Sequence, residues 1–199
     1  MSNLHRQILY TTEDVGKDKT SCAEKRLYDI NTDIEVVTYK LKVEADNILG
    51  IIKDYDIIMD CSDNYPTRCL VNDACVLSGK PLSHGAVLGF EGHAMTIFPH
   101  KGPCYRCLYS EIPQQGVLPT PQQVGIFAPV AGIIGLIQAN EALKYILGIG
   151  KLLLGELLVF NLLNSSYHRL KVSRDSQCSV CGVNPTVKDL KSYNKSLRF

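Results

Sequence analysis

The sequence predicts an α/β protein in which a mostly parallel sheet is followed by mixed strands and one long helix. Up to about residue 88, apolar patterns with helical spacing alternate with short strand patterns, which is typical of a parallel sheet with crossover helices. The run 56–60 is short, apolar and bounded by acids, as expected for a strand buried on both faces. A long apolar helix then begins at Pro129 and ends at Gly148.

Each element follows from a local pattern. Apolar spacing predicts two helices at 17–31 and 45–53, and Asp63 or Asn64 caps a third helix that has Pro66 in its first turn and runs to about 78. The fourth helix spans 129–147. The predicted strands lie at 35–39, 56–60, 82–88, 93–98, 156–160 and 167–172. A stretch rich in Pro, Gly and Gln at 99–128 predicts a long crossover loop.

Length and composition exclude several classes of function. The chain has 199 residues, enough for one domain at 1–182 and a polar tail at 183–199. Its net charge of +1 gives no electrostatic reason to expect nucleic acid or an anionic membrane as a partner. The most apolar run, 124–137, has 14 residues and falls short of the ~20 that span a bilayer. No secretory signal opens the sequence, so we expect a cytoplasmic protein.

Four of the eight cysteines form two C-x-x-C pairs. Such a pair lets two sulfurs of one turn bind one ion, and zinc accepts four thiolates in a closed tetrahedral site. The sequence therefore predicts a structural zinc held by Cys104, Cys107, Cys178 and Cys181, with two reduced pairs or two local disulfides as the alternative. The other four are interpreted as small core residues: Cys22, Cys61, Cys69 and Cys75.

Candidate phosphate ligands lie near the first helix and just after the strand 56–60. Asp63 follows that strand, at the edge where α/β sheets bind ligands, and its carboxylate would hold Mg²⁺ against a phosphate. The alternative for Asp63 is a helix cap. Asn3, Arg6 and Lys19 offer polar or cationic groups to phosphate oxygens, Lys19 from the first turn of its helix. A solvated surface is the alternative for these three.

Several ordered motifs resemble the ThiF/MoeB/HesA superfamily, the adenylating enzymes related to the ubiquitin-activating enzyme. The motifs lie at 2–7, 16–19, 60–64, 102–107, 132–144 and 178–182. The similarity covers residues 2 to about 190. Two segments, 102–107 and 185–190, look most like the eukaryotic branch, which activates the sulfur carriers of molybdopterin synthase and of tRNA thiolation. The resemblance implies a Rossmann-like, ThiF-type sheet.

The resemblance also implies a reaction on ATP. The carboxylate of the C-terminal Gly-Gly of a ubiquitin-like sulfur carrier attacks the α-phosphate, and pyrophosphate leaves. A carrier activated in this way supplies sulfur for molybdopterin, thiamine or tRNA thiolation. Carried over to this sequence, Arg6, Lys19 and Asp63 are catalytic, because Arg6 contacts the phosphates, Lys19 stabilises charge at the α-phosphate and Asp63 binds Mg²⁺. The implied nucleotide-binding residues are Ser2, Asn3, Leu4, His5, Arg6, Lys19, Asp63 and Asn64.

Two departures from the family pattern alter these expectations. The family begins with a glycine-rich strand–turn–helix, and none precedes Met1. The sheet is therefore expected to lack its first strands, between 35–39 and 56–60, and the chain to be truncated or one piece of a split enzyme. Pro121 stands where the family usually has a cysteine, which excludes a thioester at that position. The rhodanese domain that often follows in the eukaryotic branch is likewise expected to be absent.

Three functions therefore stay open. The first is ATP-dependent adenylation of a carrier protein. The second is a catalytically inactive, truncated or split subunit that binds the carrier or a partner chain, and the third is a non-functional fragment. The family forms dimers, and the helix 130–147 is more apolar than one buried face requires. A homodimer is accordingly expected.

Overall fold

The structure is a computed structural model that describes residues 3–110 and 121–190, with the backbone alone at 121–122. It divides into two compact units, residues 1–42 and 43–199. In the first unit, a 3₁₀ turn at Thr12–Asp14 precedes helix α1, Lys19–Ile30. The carboxylate of Asp14 accepts hydrogen bonds from the Thr11 amide and hydroxyl at 2.9 and 3.0 Å, which also lowers the pKa of Asp14. These contacts fix the approach to α1.

The prediction of a strand at 35–39 is wrong. These residues form no strand and pair with none of the described strands. Val37 and Tyr39 are exposed. A strand exists only where a neighbour takes up its N–H and C=O groups, and alternating apolar residues cannot supply that neighbour.

The second unit contains a five-stranded sheet in the order β1–β2–β3–β4–β5. The strands are β1 Ile58–Asp60, β2 Leu82–Leu88, β3 Glu91–Ile97, β4 Glu156–Asn161 and β5 Ser166–Lys171. Strands β1 and β2 pair in parallel, whereas the other three pairs are antiparallel. The expectation of a mostly parallel sheet is therefore wrong for the described residues, which form a mixed sheet.

Connection lengths explain this mixture. Helix α3, Tyr65–Ser78, crosses from β1 to β2, which is the kind of connection that a parallel pair needs. Only Gly89 and Phe90 join β2 to β3, and so short a loop can join only antiparallel strands. Gly89 adopts a φ of 56° in this turn.

Strand β1 is an edge strand in the described structure, and the expectation that it is buried on both faces is wrong. Its one neighbour is β2. Met59 is 42% exposed, whereas Asp60, at the end of the strand, is 3% exposed. Burial of this strand is thus confined to one face.

Helices cover both faces of the sheet. On one face, α2 (Ile48–Ile52), α3 and the short helix α4 (Tyr105–Leu108) contribute to the larger core cluster, which includes Leu82 and Met95 of the strands. On the other face lies α6, Ala128–Leu147, whose Val130 and Ile134 form a second cluster with Ala94 and Phe160. The predictions of α3, β2 and the long helix are confirmed almost to the residue.

Polar contacts dock α6 on the sheet. The Glu141 carboxylate, 2% exposed, accepts hydrogen bonds from the Thr96 hydroxyl at 2.5 Å and from the Leu153 amide at 2.7 Å. Among the described helices, α6 meets the length and composition expected of a membrane span. The expectation that the apolar stretch is too short to span a bilayer is therefore wrong, because the helix has 20 residues. Its buried residues place part of this helix in the protein core.

The long predicted loop at 99–128 contains α4 and a second short helix, α5, Pro121–Val124. Residues 111–120 lie outside the described residues. In the predicted tail, Leu190 is 3% exposed and belongs to the larger core cluster, with Val187 packed against it. The domain boundary at residue 182 stays a prediction.

Replacement of Gly85 by alanine should destabilise the contact between β2 and α6. A Cβ at this position would lie 2.5 Å from Gln138 Oε1 and 2.6 Å from Ile134 Cγ2, so we expect a loss of about 1–3 kcal/mol in the free energy of unfolding. Gly132→Ala is the matched control, because a Cβ on that exposed helical glycine meets nothing within 4 Å and should stabilise α6 by about 0.5–1 kcal/mol. Urea denaturation measures both, and equal stability of the two variants would contradict this packing.

Candidate functional site

The first unit contains a hollow of about 160 Å³ beside the start of α1. Three residues of the predicted nucleotide site line it, namely Asn3, Leu4 and Lys19. The other lining residues are Gln7, Tyr10, Thr11, Asp14, Val15 and Gly16. The structure thus places one cation and several hydrogen-bonding side chains around a single opening.

Arg6 and His5 lie close to Asn3, one of the residues that line the hollow. The Arg6 guanidinium donates to Asn3 Oδ1 at 2.9 Å and lies 3.1 Å from His5 Nε2. Neither Arg6 nor His5 is among the lining residues. Ser2, the remaining residue of this predicted group, lies outside the described residues.

Lys19 is the first residue of α1. Its side chain is exposed, with Nζ 5.9 Å from the centre of the Tyr10 ring. A cation in the first turn opposes the helix dipole, whereas an anion there is favoured by the dipole and by the unpaired amides. The N-cap, Asp18, makes no side-chain capping bond and instead pairs with Lys40. Lys19 therefore lies where an anionic ligand would compensate it.

Asp63 and Asn64 belong to the second unit, in the loop between β1 and α3. Asn64 caps α3, because its Oδ1 accepts from the Thr67 amide at 2.9 Å. Asp63 is exposed, and its Oδ1 accepts from Asn64 Nδ2 at 3.2 Å. The capping alternative thus applies to Asn64, and the Asp63 carboxylate stays accessible to a cation.

Two further residues hold this loop and were not identified from the sequence. Arg68, 8% exposed, donates from Nε and Nη2 to the Ser62 carbonyl at 3.3 and 3.1 Å. Its guanidinium also lies 5.6 Å from the Tyr65 ring. Arg68 lies four residues after the helix cap, but nothing in the local pattern shows that an arginine there turns inward.

The four cysteines of the two C-x-x-C pairs form one cluster. Their sulfurs all lie within 4.8 Å of one another, with 3.6 Å from Cys104 to Cys178 and 3.4 Å from Cys107 to Cys181. Tetrahedral zinc with bonds of about 2.3 Å holds its sulfurs about 3.8 Å apart. All four cysteines are free of disulfides, so the alternative of two local disulfides is not what the structure shows.

Backbone groups surround the cluster as expected for a thiolate site. The amides of Cys181 and Asp175 donate to Cys178 Sγ at 3.5 Å and to Cys107 Sγ at 3.4 Å. A Cβ on Gly182 would lie 2.4 Å from the Cys178 carbonyl oxygen, so glycine is required for the turn. Hydrogen bonding from Cys104 lowers the pKa of Cys178, whereas burial raises that of Cys181 to about 11. The two backbone amides favour thiolates over thiols, as a metal site requires.

The remaining cysteines differ among themselves. Cys69 and Cys75 are buried, and burial raises their pKa values to about 11 and about 12, which confirms them as core thiols. Cys22 is half-buried. Cys61 is exposed, so its interpretation as a core residue is wrong; it follows the edge strand β1, where the chain turns out of the sheet.

Comparisons with known proteins agree with the motifs. The model of the ThiF family matches residues 1–180. A protein of Thermus thermophilus named sulfur carrier protein adenylyltransferase is 46% identical over 97% of this chain and 73% of its own length. The SAMP-activating enzyme E1 of Haloferax volcanii is 38% identical over 91% of this chain and 67% of its own length.

A longer relative and a solved structure complete the comparison. The adenylyltransferase and sulfurtransferase MOCS3 of Culex quinquefasciatus is 41% identical over 98% of this chain, which spans 45% of that protein. The crystal structure of MccB from E. coli has a TM-score of 0.79 and 24% identity, covering 93% of this chain and 56% of MccB. The fold is thus shared with MccB.

Proposed function

The chain belongs to the ThiF family, and we propose that it catalyses ATP-dependent adenylation of the C-terminal glycine of a ubiquitin-like sulfur-carrier protein. The observation that carries this proposal is the 46% identity, over 97% of the chain, to a sulfur carrier protein adenylyltransferase. Two further relatives at 38% and 41% identity carry activating-enzyme or adenylyltransferase names. The exposed side chains of Lys19 and Asp63 supply the positive and negative charges that such a reaction needs.

In the proposed reaction, a carboxylate oxygen of the carrier's terminal glycine attacks the α-phosphorus of ATP. The bond from that phosphorus to the oxygen bridging to the β-phosphate breaks, and pyrophosphate leaves. Asn3 and Arg6 contact phosphate oxygens, and Lys19 stabilises the negative charge that grows at the α-phosphate. The neighbouring Leu4 and His5, with Ser2 before them, complete the nucleotide-binding segment.

Asp63 is the proposed ligand of Mg²⁺, with Asn64 beside it in the nucleotide pocket. An exposed carboxylate oxygen is the type of ligand that Mg²⁺ prefers in nucleotide sites, and the cation would neutralise phosphate charge. Asn64 fixes the position of its neighbour, because its own Oδ1 is engaged in capping α3.

Exchange of labelled pyrophosphate into ATP tests this function. In the presence of Mg²⁺ and a carrier with C-terminal Gly-Gly, Lys19→Ala and Asp63→Asn should each lower the exchange rate by about 10²–10³-fold, because each removes charge at the reacting phosphates. Asp63→Asn should leave the free energy of unfolding within about 0.5 kcal/mol, since Asn64 caps α3. Lys25→Ala is the control, an exposed lysine on the same helix that pairs with Asp29.

The same measurements separate the competing functions. Wild-type protein that binds the carrier but shows no exchange would favour the catalytically inactive subunit. A broad unfolding transition that differs between spectroscopic probes would favour the non-functional fragment. Full exchange activity in Lys19→Ala would contradict the assigned role of Lys19.

We further propose that the four-cysteine cluster binds structural Zn²⁺. The closed set of four thiolates leaves no position for water. Purified protein should contain one zinc per chain, and Cys178→Ser should lose it, with a fall of several kcal/mol in the free energy of unfolding. Elemental analysis and denaturation check this, and Cys22→Ser is the control. Retention of zinc by Cys178→Ser would refute the assignment.

Because free thiols persist in reducing compartments, the cytoplasm is the proposed location.

A homodimer is the proposed assembly. Several apolar residues of α6 are exposed in the chain, including Leu136 at 72% and Ile146 at 64%, and a surface of this kind marks an interface. Sedimentation velocity at micromolar concentration should show a dimer, and Leu136→Lys should shift it towards monomer because the charge would be buried. Leu163→Lys is the control, because it places the same charge on an equally exposed leucine outside α6, in the turn between β4 and β5, and it should leave the dimer intact. A wild-type monomer would contradict the proposal.

A further inference from the structure

A buried carboxylate lies at the end of β1, three residues before Asp63. Asp60 is 3% exposed. Its Oδ1 accepts hydrogen bonds from the Ser62 amide at 2.9 Å and from the Ser62 hydroxyl at 2.6 Å, and its Oδ2 lies 2.9 Å from His84 Nδ1. Burial raises the pKa of Asp60, but the hydrogen bonds from His84 and Ser62 outweigh burial and bring it below the ordinary value. Asp60 is therefore ionised and accepts all three bonds.

A second imidazole continues this arrangement. His84 Nε2 lies 3.4 Å from His93 Nε2. Burial lowers the pKa of His84, and burial together with the proximity of His84 and Arg68, which disfavours a second positive charge, lowers that of His93 to about 3. Both rings are neutral near pH 7. Since Asp60 only accepts, the proton of His84 is on Nδ1, its Nε2 is an acceptor, and His93 Nε2 donates to it.

We propose, on the basis of the function given above, that the Asp60–His84–His93 chain positions Asp63 for its cation. His84, held by His93, fixes the Asp60 carboxylate, and this carboxylate fixes the amide and hydroxyl of Ser62. Arg68 holds the carbonyl of the same residue. Every polar group of Ser62 is thus engaged from the direction of β1 or α3, and Asp63 is the next residue along. Asp60, His84 and His93 are positioning residues, because none of them is placed against the substrate.

Side chains from three helices also approach the Asp60–His84–His93 group, namely Arg68, Tyr105 and Gln138. Arg68 approaches from α3 and lowers the pKa of both histidines. Tyr105 of α4 packs on His84, with ring centres 4.7 Å apart. From α6, Gln138 Nε2 donates to the Asp60 carbonyl at 2.8 Å and to the Ser83 carbonyl at 3.0 Å. Gln138 does not titrate, and burial raises the pKa values of the three thiols that also interact with the charge of Asp60, those of Cys61, Cys69 and Cys75. The pH response of the loop below pH ~7 therefore depends on Asp60 and the two histidines, with Arg68 as a fixed charge.

The sign of the pH effect follows from these contacts. With the His84 donor in place, Asp60 stays ionised as the pH falls to about 5, and Ser62 keeps its acceptor. Without that donor, burial raises the pKa of Asp60, and the carboxylate takes up a proton at a higher pH than in the wild type. The hydrogen bond that the Ser62 amide donates to Asp60 is then weakened in acid.

Hydrogen exchange of the Ser62 amide, measured by NMR as a protection factor, tests the positioning without requiring activity. We expect His84→Phe to lower the protection factor about tenfold at pH ~5 and by less at pH ~7, because a hydrogen bond to a charged group is lost. His84→Asn should restore most of it, since its amide can donate in place of Nδ1. Thr96→Val is the matched control, a buried hydrogen bond on the opposite face of the sheet, and should leave Ser62 protection unchanged.

A measurement on the wild-type protein alone is also decisive. Its Ser62 protection should be constant between pH ~7 and ~5, and a loss of protection over this range would overturn the proposal whether or not the variants fold. Equal loss in His84→Asn and His84→Phe would also overturn it, because the donor would then not matter.

Pyrophosphate exchange links the loop to the cation. In His84→Phe, the Mg²⁺ concentration for half-maximal exchange should rise about tenfold while the rate at saturating Mg²⁺ stays within about twofold, since positioning a ligand affects binding more than the bound rate. An unchanged Mg²⁺ requirement would refute the role in positioning Asp63. Absence of exchange in the wild type would instead defeat the proposed function, and the Ser62 measurement would still decide how the loop is held.

Discussion

The parallel pairing of β1 with β2 is the constraint on which the second unit depends. It forces the chain through the crossover helix α3, which fills one face of the sheet. Its register sets Asp60 opposite His84, and a shift of one residue would turn Asp60 to the other face and break that contact. The same pairing leaves residues 61–64 at the carboxyl end of the strand. The loop chemistry is therefore a consequence of strand register.

The cysteine cluster provides a second, long-range connection. It joins the start of α4 to a turn near residue 180, which local hydrogen bonding could not do. Cys104, Cys178 and Cys181 belong to the larger hydrophobic cluster, together with Val180 and Leu190. The segment after β5 is thus anchored by apolar burial and by the sulfurs at once. A metal there would act on folding, because the four sulfurs converge only in the folded chain.

Local signals allowed much of this structure to be predicted from the sequence. Asn64 and Pro66 identify the start of α3, Gly148 identifies the end of α6, and the spacing of the cysteines identifies their cluster. Non-local contacts could not be predicted in this way. Residues 35–39 have a strand pattern without a partner, and His84 meets His93 only because a two-residue loop pairs β2 with β3. The inward turn of Arg68 likewise depends on a carbonyl that only the folded loop provides.

The two carboxylates of the loop differ because their environments differ. Asp60 is buried and accepts three hydrogen bonds from His84 and Ser62, so binding a cation would require those bonds to break in a site that excludes water. Asp63 is exposed, and its oxygens can exchange water for a cation at little cost. Since Ser62 stands between them in the chain, fixing the buried carboxylate restricts where the exposed one can point. Burial of one acid thus orders the loop, and the exposed acid is the proposed ligand.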